Sequence, residues 1–355
     1  MNTTPIRALA ALLLCSVALA GPLDPPAGAV APTAKPLSEV EPRTAINATN
    51  TPGDADSLFK ITQPGSYYLT GNITGVVGRH GIEIAASGVT VDLNGFDLVG
   101  VAAMGAFDGV GVTVASLTSI AVVNGSVRNW GDEAVDLGTS NAINCRVEGV
   151  RASGNGGSGI SVGSGTTVSN CTAYQNTGHG ISSGALGITV SNCTAYQNTG
   201  HGISSAGSGS TVSNCTAYQN TGNGISVGSG STVADCIARI STLNGIVCAS
   251  ACIIRGNTCS NNGSGGDGAG IHAFGNDNRI EGNNCTGADR GIDVDNAGNI
   301  IIRNTCSGNT TNWDIVANNV CGPIIDRSAP ASAAILGNSA PDSTGSTHPN
   351  ANFTY

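Results

Sequence analysis

"TVSNCTAYQNTGHGISS" occupies residues 167–183 and returns without a substitution at 189–205. Aligning the chain on itself makes Val168, Val190, Val212 and Val233 equivalent, at separations of 22, 22 and 21 residues. A fixed self-similarity of this period is the signature of a solenoid. The unit contains no helical periodicity. It divides instead into short alternating segments, "GHGISS", "ITVSN" and "CTAYQN", separated by Gly, Asn and Ser. Three short strands and their turns make one coil of a β-helix. A leucine-rich repeat has a similar period but demands a regular Leu pattern, and this unit has almost no Leu.

The register then assigns faces, because alternate strand residues point inward. Ile160, Ile181, Ile203, Ile225, Ile246, Ile271 and Ile292 form one inward column. Cys171, Cys193, Cys215 and Cys236 form another at the bend between second and third strands, and Asn257, Asn283 and Asn304 continue it as an asparagine ladder. Two residues on, Ala173, Ala195, Ala217 and Ala238 give way to Cys259, Cys285 and Cys306. Coils stack at about 4.8 Å, within the Cα separation of a disulfide. Buried cysteines also serve as small hydrophobes, and that is the expected state here. Cys248 and Cys252, four residues apart across one turn, are the pair best placed to bridge. Stacked columns do not converge tetrahedrally, so no zinc site follows.

The 355 residues include 52 Gly, with 10% charged and 40% hydrophobic residues, a composition that argues against disorder. Residues 1–20 read as a secretory signal peptide: Arg7, an apolar run from Ala8 to Leu14, and Ala18-Leu19-Ala20 for cleavage. No other segment is apolar enough to span a bilayer. Loss of Arg7 with the leader takes the formal charge from −9 to −10, a poor match for nucleic acid. A Pro/Ala-rich linker is expected at 21–43, an N-terminal cap and first coil at 44–100, the β-helix at 101–322, and a C-terminal cap or tail at 323–355. Phe353 and Tyr355 are expected to fold back over the last coil, since a solenoid needs covered ends.

The segments "GISV" (224–227), "TVSNCT" (167–172), "GIDV" (291–294) and "IIRNTCSGN" (301–309) resemble repeats of the right-handed parallel β-helix, or pectin-lyase-like, superfamily. "PGSYYLTGNI" (64–73) and "GIEIAASGVTVDLNGFDLVG" (81–100) resemble its N-terminal cap and opening coil. The likeness runs over roughly residues 58–325 and extends to exported bacterial members. It implies an all-β, right-handed parallel β-helix of about eleven coils by repeat count. Lyases, hydrolases, epimerases and non-enzymes share that fold, so the fold alone gives no function.

The resemblance also implies that chemistry, where present, lies on the outward face of the first strand. That column reads Glu83, Thr113, Asp136, Ser161, Ser182, Ser204, Ser226, Val247, His272, Asp293 and Val316. Each repeat carries Gly-His-Gly, a tripeptide that holds an active-site histidine in polygalacturonase-like members. Those enzymes also need Asn-Thr-Asp, Asp-Asp and Arg-x-Lys on neighbouring coils, because glycoside hydrolysis uses paired carboxylates. None of the three occurs, and His179 and His201 read as turn residues. In "RGIDVDN" (290–296), Asp293 and Asp295 face outward together, with His272 one coil earlier and Arg290 and Asp289 at the turn. Two carboxylates on one face suit Ca²⁺, and calcium-dependent lyases of this fold use arginine as base, which gives His272, Arg290 and Asp293 as candidate catalytic residues. The plain alternative is a solubilising surface cluster. "RNWGDEAVDLG" (128–138) offers a second cluster of Asp132, Glu133 and Asp136 with Arg128 and Trp130 nearby. Tyr174, Tyr196 and Tyr218, followed by Arg239, face outward in a third feature. They suit either sugar rings or a self-stacking ladder.

The reading that results is a secreted or surface β-helix that contacts polysaccharide, with no evident catalytic apparatus. A Ca²⁺-dependent polysaccharide lyase and a purely structural or adhesive solenoid are the alternatives.

Overall fold

The computed structural model describes residues 41–139, 142–263, 266–326 and 348–355. The expected leader lies outside them, as does the expected linker apart from residues 41–43. Among the described residues of Arg43–Tyr355, a single compact unit, every element is a strand, and no helix is long and apolar enough to cross a membrane. The pairing between coils is parallel throughout, apart from one isolated bridge between Pro52 and Phe59.

The first strands of the coils form a 12-stranded sheet running from Ser57–Ile61 to Thr311–Ile315. The second and third strands form the other walls. Two eight-residue strands, Ala121–Arg128 and Arg146–Ser153, bend across both walls and join them into one continuous sheet. The molecule is therefore an all-β parallel β-helix of about twelve coils, one more than the repeat count suggests. The additional coil comes from Ser57–Ile61, which pairs with His80–Ile84 but lacks the Gly-Ile signature.

Within the coils, the inward isoleucines from Ile160 to Ile292 are completely buried, one directly over the next. Each contributes about 2 kcal/mol of hydrophobic stabilisation. The Cys and Ala columns are buried beside them. All eleven cysteines from Cys145 to Cys321 are free thiols, Cys248 and Cys252 included, and only Cys321 is exposed. Both bends need left-handed backbone. Asn170, Asn192, Asn214 and Asp235 take φ of 53–56° at one bend, and Gln175, Gln197, Gln219 and Ile240 take 54–55° at the other. Asn and Asp tolerate that region well, whereas β-branched Ile240 does not.

Asparagine does more than its pattern in the sequence suggests. The ladder from Asn257 through Asn283 and Asn304 is present and continues to Asn352 in the closing strand, Asn352–Thr354. A second, unanticipated ladder runs Asn155, Asn176, Asn198, Asn220 at the other bend. In each rung the buried amide accepts from the preceding coil's backbone N–H, and in every rung but Asn155 it donates to a main-chain carbonyl; Asn198 accepts from Asn176 N at 3.1 Å and donates to Ala173 O at 3.1 Å. Buried turn amides thereby find partners without water. At the C-terminus the closing strand lies between Thr305–Ser307 and Ile324–Asp326. Its fully buried residue is Asn352, while Tyr355 remains 56% exposed, so backbone pairing and an asparagine cover the end more than aromatic rings do.

Candidate functional site

The turn before the first strand answers the question raised by the two Gly-His-Gly copies. At this position, successive coils place an acceptor under the N–H of the next. Asp108 Oδ1 accepts from Glu133 N at 3.0 Å, and Ser158 Oγ from His179 N at 3.3 Å. His179 Nδ1 accepts from His201 N at 2.8 Å, and His201 Nδ1 from Asn223 N at 2.8 Å. Asn223 Oδ1 and Asn244 Oδ1 continue the series to Asn244 N and Ala269 N. An imidazole that accepts at Nδ1 carries its proton on Nε2 when neutral. Neither nitrogen then has a lone pair to spare for a metal or for a substrate proton. The flanking glycines have their own structural reasons: a Cβ on Gly180 would meet Gly202 O at 2.6 Å, and one on Gly200 would meet His179 Nδ1 at 2.6 Å. The motif is a turn-to-turn connector.

The outward column of the first-strand sheet differs from the expected one at two places. Gly111, not Thr113, pairs with Glu83 and Asp136, and Asp314, not Val316, pairs with Asp293. At the C-terminal end the inward partner of Ile292 is Trp313, where the expected column implies Ile315. A slip of two residues preserves the face, so the hydrophobic pattern does not reveal it.

This correction enlarges the C-terminal cluster. His272 Nε2 lies 2.8 Å from Asp295 Oδ2 and 3.9 Å from Asp293 Oδ2. Arg290 reaches Asp293 Oδ2 at 3.4 Å and Asp314 Oδ2 at 2.8 Å, and is also paired with Asp267. Asp267 and Asp314 were not among the sequence candidates; inward placement of Trp313 is the signal that finds Asp314. Asp289 instead caps the neighbouring loop through Gly266 N at 3.0 Å. Burial raises the pKa of Asp293, against the pull of His272 and Arg290. Asp267 first, with Asp293 and Asp314, raises that of Arg290, which opposes a role as base.

The ligand atoms of His272, Asp293 and Asp295 lie within 4.8 Å of one another. Calcium, however, takes six to eight oxygen ligands, and this set supplies two carboxylates and an imidazole. Both carboxylates already face a cationic or hydrogen-bonding partner. The residues do not fit a calcium ion. What they do form is an imidazole oriented by a carboxylate, with exposed Phe274 at 6.2 Å from the His272 ring. An open depression of about 520 Å³, lined by Phe274, Asn276 and Asn296 among others, adjoins it.

The N-terminal cluster is assembled differently from its sequence outline. Trp130 is buried and donates to Leu98 O, and Arg128 pairs with Asp97 on another wall, so neither joins it. Asp108 and His80 do, with His80 Nδ1 3.3 Å from Asp108 Oδ2. Burial, and then the Asp132 carboxyl, push Glu133 up to about 8. Asp136 is occupied in capping Gly138 N and Thr139 N at 2.9 and 3.0 Å.

Tyr174, Tyr196 and Tyr218 stack with centroids 4.9 and 4.8 Å apart and ring planes within 3°. Internal ring faces are therefore covered by one another. The outer panel consists of phenol hydroxyls, a Gln175–Gln197–Gln219 row at 3.4 Å, and the paired Thr172, Thr194 and Thr216. Arg239 follows Tyr218 on the next coil and is exposed. No Asp, Glu, Lys or Arg lies between Arg151 and Asp235, so the panel proper is uncharged.

Residues 108–251 match the family described as "Right handed beta helix region". Among solved structures, the chain is similar to the A-module of mannuronan C-5 epimerase AlgE6 from Azotobacter vinelandii. The identity is 15%, the TM-score 0.52, and the coverage 73% of this chain and 91% of that one. It is also similar to a tailspike protein variant of E. coli bacteriophage HK620, solved in complex with a pentasaccharide. There the identity is 13%, the TM-score 0.57, and the coverage 82% and 67%. No curated protein sequence matches. The stacked coils and their parallel register make this protein a parallel β-helix, and residues 108–251 match the right-handed form of that fold.

Proposed function

We propose that this protein is exported and contacts extracellular polysaccharide through the panel of Tyr174, Tyr196 and Tyr218, with Arg239 at its edge. The observation that carries the reading is the regular row of three phenols, whose hydroxyls have no hydrogen-bond partner among the described residues, beside parallel rows of Thr and Gln. A saccharide chain laid along the helix axis meets the same donors and acceptors at every coil. The leader at 1–20 supports export, and the pentasaccharide bound to the similar tailspike supports the ligand class. Because the ring faces are covered, recognition falls to hydroxyls and carboxamides.

The test is a glycan array followed by affinity electrophoresis, comparing wild type with a Tyr174→Phe, Tyr196→Phe, Tyr218→Phe triple variant. Phenylalanine keeps the stack and removes only the hydroxyls. The expected result is binding by wild type and a loss of at least about tenfold in the variant, one or more hydrogen bonds' worth, at unchanged melting temperature. Absence of binding by wild type, or equal binding by both, overturns the reading.

A second reading, an enzyme acting on the bound polysaccharide, is favoured by the 2.8 Å His272–Asp295 contact. That contact fixes the ring as carboxylates do for general-base histidines. In this reading His272 is the base, with Arg290 and Asp293 holding the site's charges. Turnover that survives His272→Ala would rule it out.

A further inference from the structure

The acceptor series at the turn before the first strand is chemically uneven. Ser158, Asn223 and Asn244 accept a backbone N–H at any ordinary pH. His179 and His201 accept only while neutral, because a protonated imidazole has no acceptor. Both bonds are short, at 2.8 Å, and the two rings stack with centroids 4.9 Å apart and planes 11° from parallel. We propose that this pair is an acid-sensitive joint. Protonation of His179 and His201 withdraws the acceptors from the N–H groups of His201 and Asn223 and sets two like charges face to face, so the sixth, seventh and eighth coils separate at this turn.

The surroundings offer the charged form no compensation. Ser158 and Asn223 stand below and above the pair in the column. The adjacent buried row is Asn176, Asn198 and Asn220, all neutral. The nearest ionisable neighbour in the column is Glu133, one coil beyond Ser158, itself pushed up to about 8. No Asp, Glu, Lys or Arg occurs between Arg151 and Asp235 on any wall. In keeping with this, burial lowers the pKa of both imidazoles from the ordinary 6.5, and His179 lowers that of His201 further.

The direction of the pH effect follows. As the pH falls through 6.5, the unfolded chain takes up protons at these two sites before the folded chain does. The joint's contribution is therefore complete above that pH. It is lost as the pH falls from 6.5 toward the lowered folded values. Histidine is the one side chain whose unperturbed titration falls in this range.

Asparagine fills the same position in the next two coils and makes the same bond. A His179→Asn, His201→Asn double variant therefore retains the acceptors and removes the titration. Thermal unfolding is followed at pH about 7.5 and about 5 for both proteins, with hydrogen exchange of the peptide spanning 198–224 corrected for intrinsic rate. In wild type, exchange at His201 and Asn223 should quicken about tenfold, the loss of roughly one hydrogen bond, and the midpoint should fall further than in the variant. Should the double variant not fold, the exchange arm on wild type and a single His201→Asn variant decide. Equal pH dependence in wild type and variant, or exchange at 198–224 indifferent to pH, overturns the proposal. Neither readout involves a glycan, so it stands or falls apart from the polysaccharide reading.

Discussion

The central coils and the C-terminal coils use one scaffold for opposite purposes. From Ile160 to Val227 the outward column of the first-strand sheet reads Ser161, Ser182, Ser204, Ser226, without a charge. Two coils later the same column reads His272, Asp293, Asp314, knotted together through Arg290 and Asp295. Inward positions change little between the two regions, with isoleucine over isoleucine until Trp313 follows Ile292 in the last coil of the sheet. The scaffold demands only the inward residue, the bend residue and the ladder amide. The outward residue is thus left to selection for something other than folding.

The first and largest test asks whether the scaffold really is common to both regions. Asn198 and Asn304 occupy ladders at different bends and ends, yet each accepts two bonds from the amide before it and donates to a carbonyl. Asn198→Ala and Asn304→Ala should each cost about 4 kcal/mol, since several buried groups lose partners at once. Chemical denaturation of the two variants gives the comparison. A difference above about 2 kcal/mol, one or two such groups, would mean that the coils are not equivalent.

A smaller effect is expected at the N-terminal end, the other charged region. Glu133 has its folded pKa raised from 4.5 to about 8, so folding favours its protonated form. That preference stabilises the fold below 4.5 and fades as the pH rises through about 8. Glu133→Gln should melt above wild type at pH about 9, with the gap closing toward the acid side. This is the reverse of the central histidines, and a gap that widened in acid would refute the assignment. The smallest expected change lies at Ile240, whose φ of 54° is costly for a β-branched residue. Ile240→Asn should stabilise the protein by about 1 kcal/mol, read as a rise in melting temperature. No rise would mean that the exposed isoleucine has packing that offsets its strain.

The architecture was legible in the sequence because a coil repeats its own constraints. Val168, Val190, Val212 and Val233 set the period, and the Ile column set the inward face. The outward column was legible in face but not in place at Thr113 and Val316, where a two-residue slip leaves the alternation intact. The C-terminal cluster was found through "GIDVDN", but its link to Asp314 depended on seeing Trp313 as a core residue. The second asparagine ladder lay in plain view at Asn176, Asn198 and Asn220. Hydrogen bonding between coils leaves no periodic hydrophobic mark that would single them out. For the tyrosines, spacing gave the stack, while only geometry revealed that stacking hides the faces.

The connector at the Gly-His-Gly turn has a consequence for how such a chain changes over generations. Each coil from Ser158 to Asn244 presents one acceptor there to its successor and one N–H to its predecessor, whatever side chain does the accepting. A unit ending this way can be copied in tandem and spliced between its parents with every backbone partner already supplied. The verbatim repeat at 167–183 and 189–205 is what such a duplication leaves behind. Length is thus the property this molecule can alter most freely, and a longer or shorter relative could keep the same two ends.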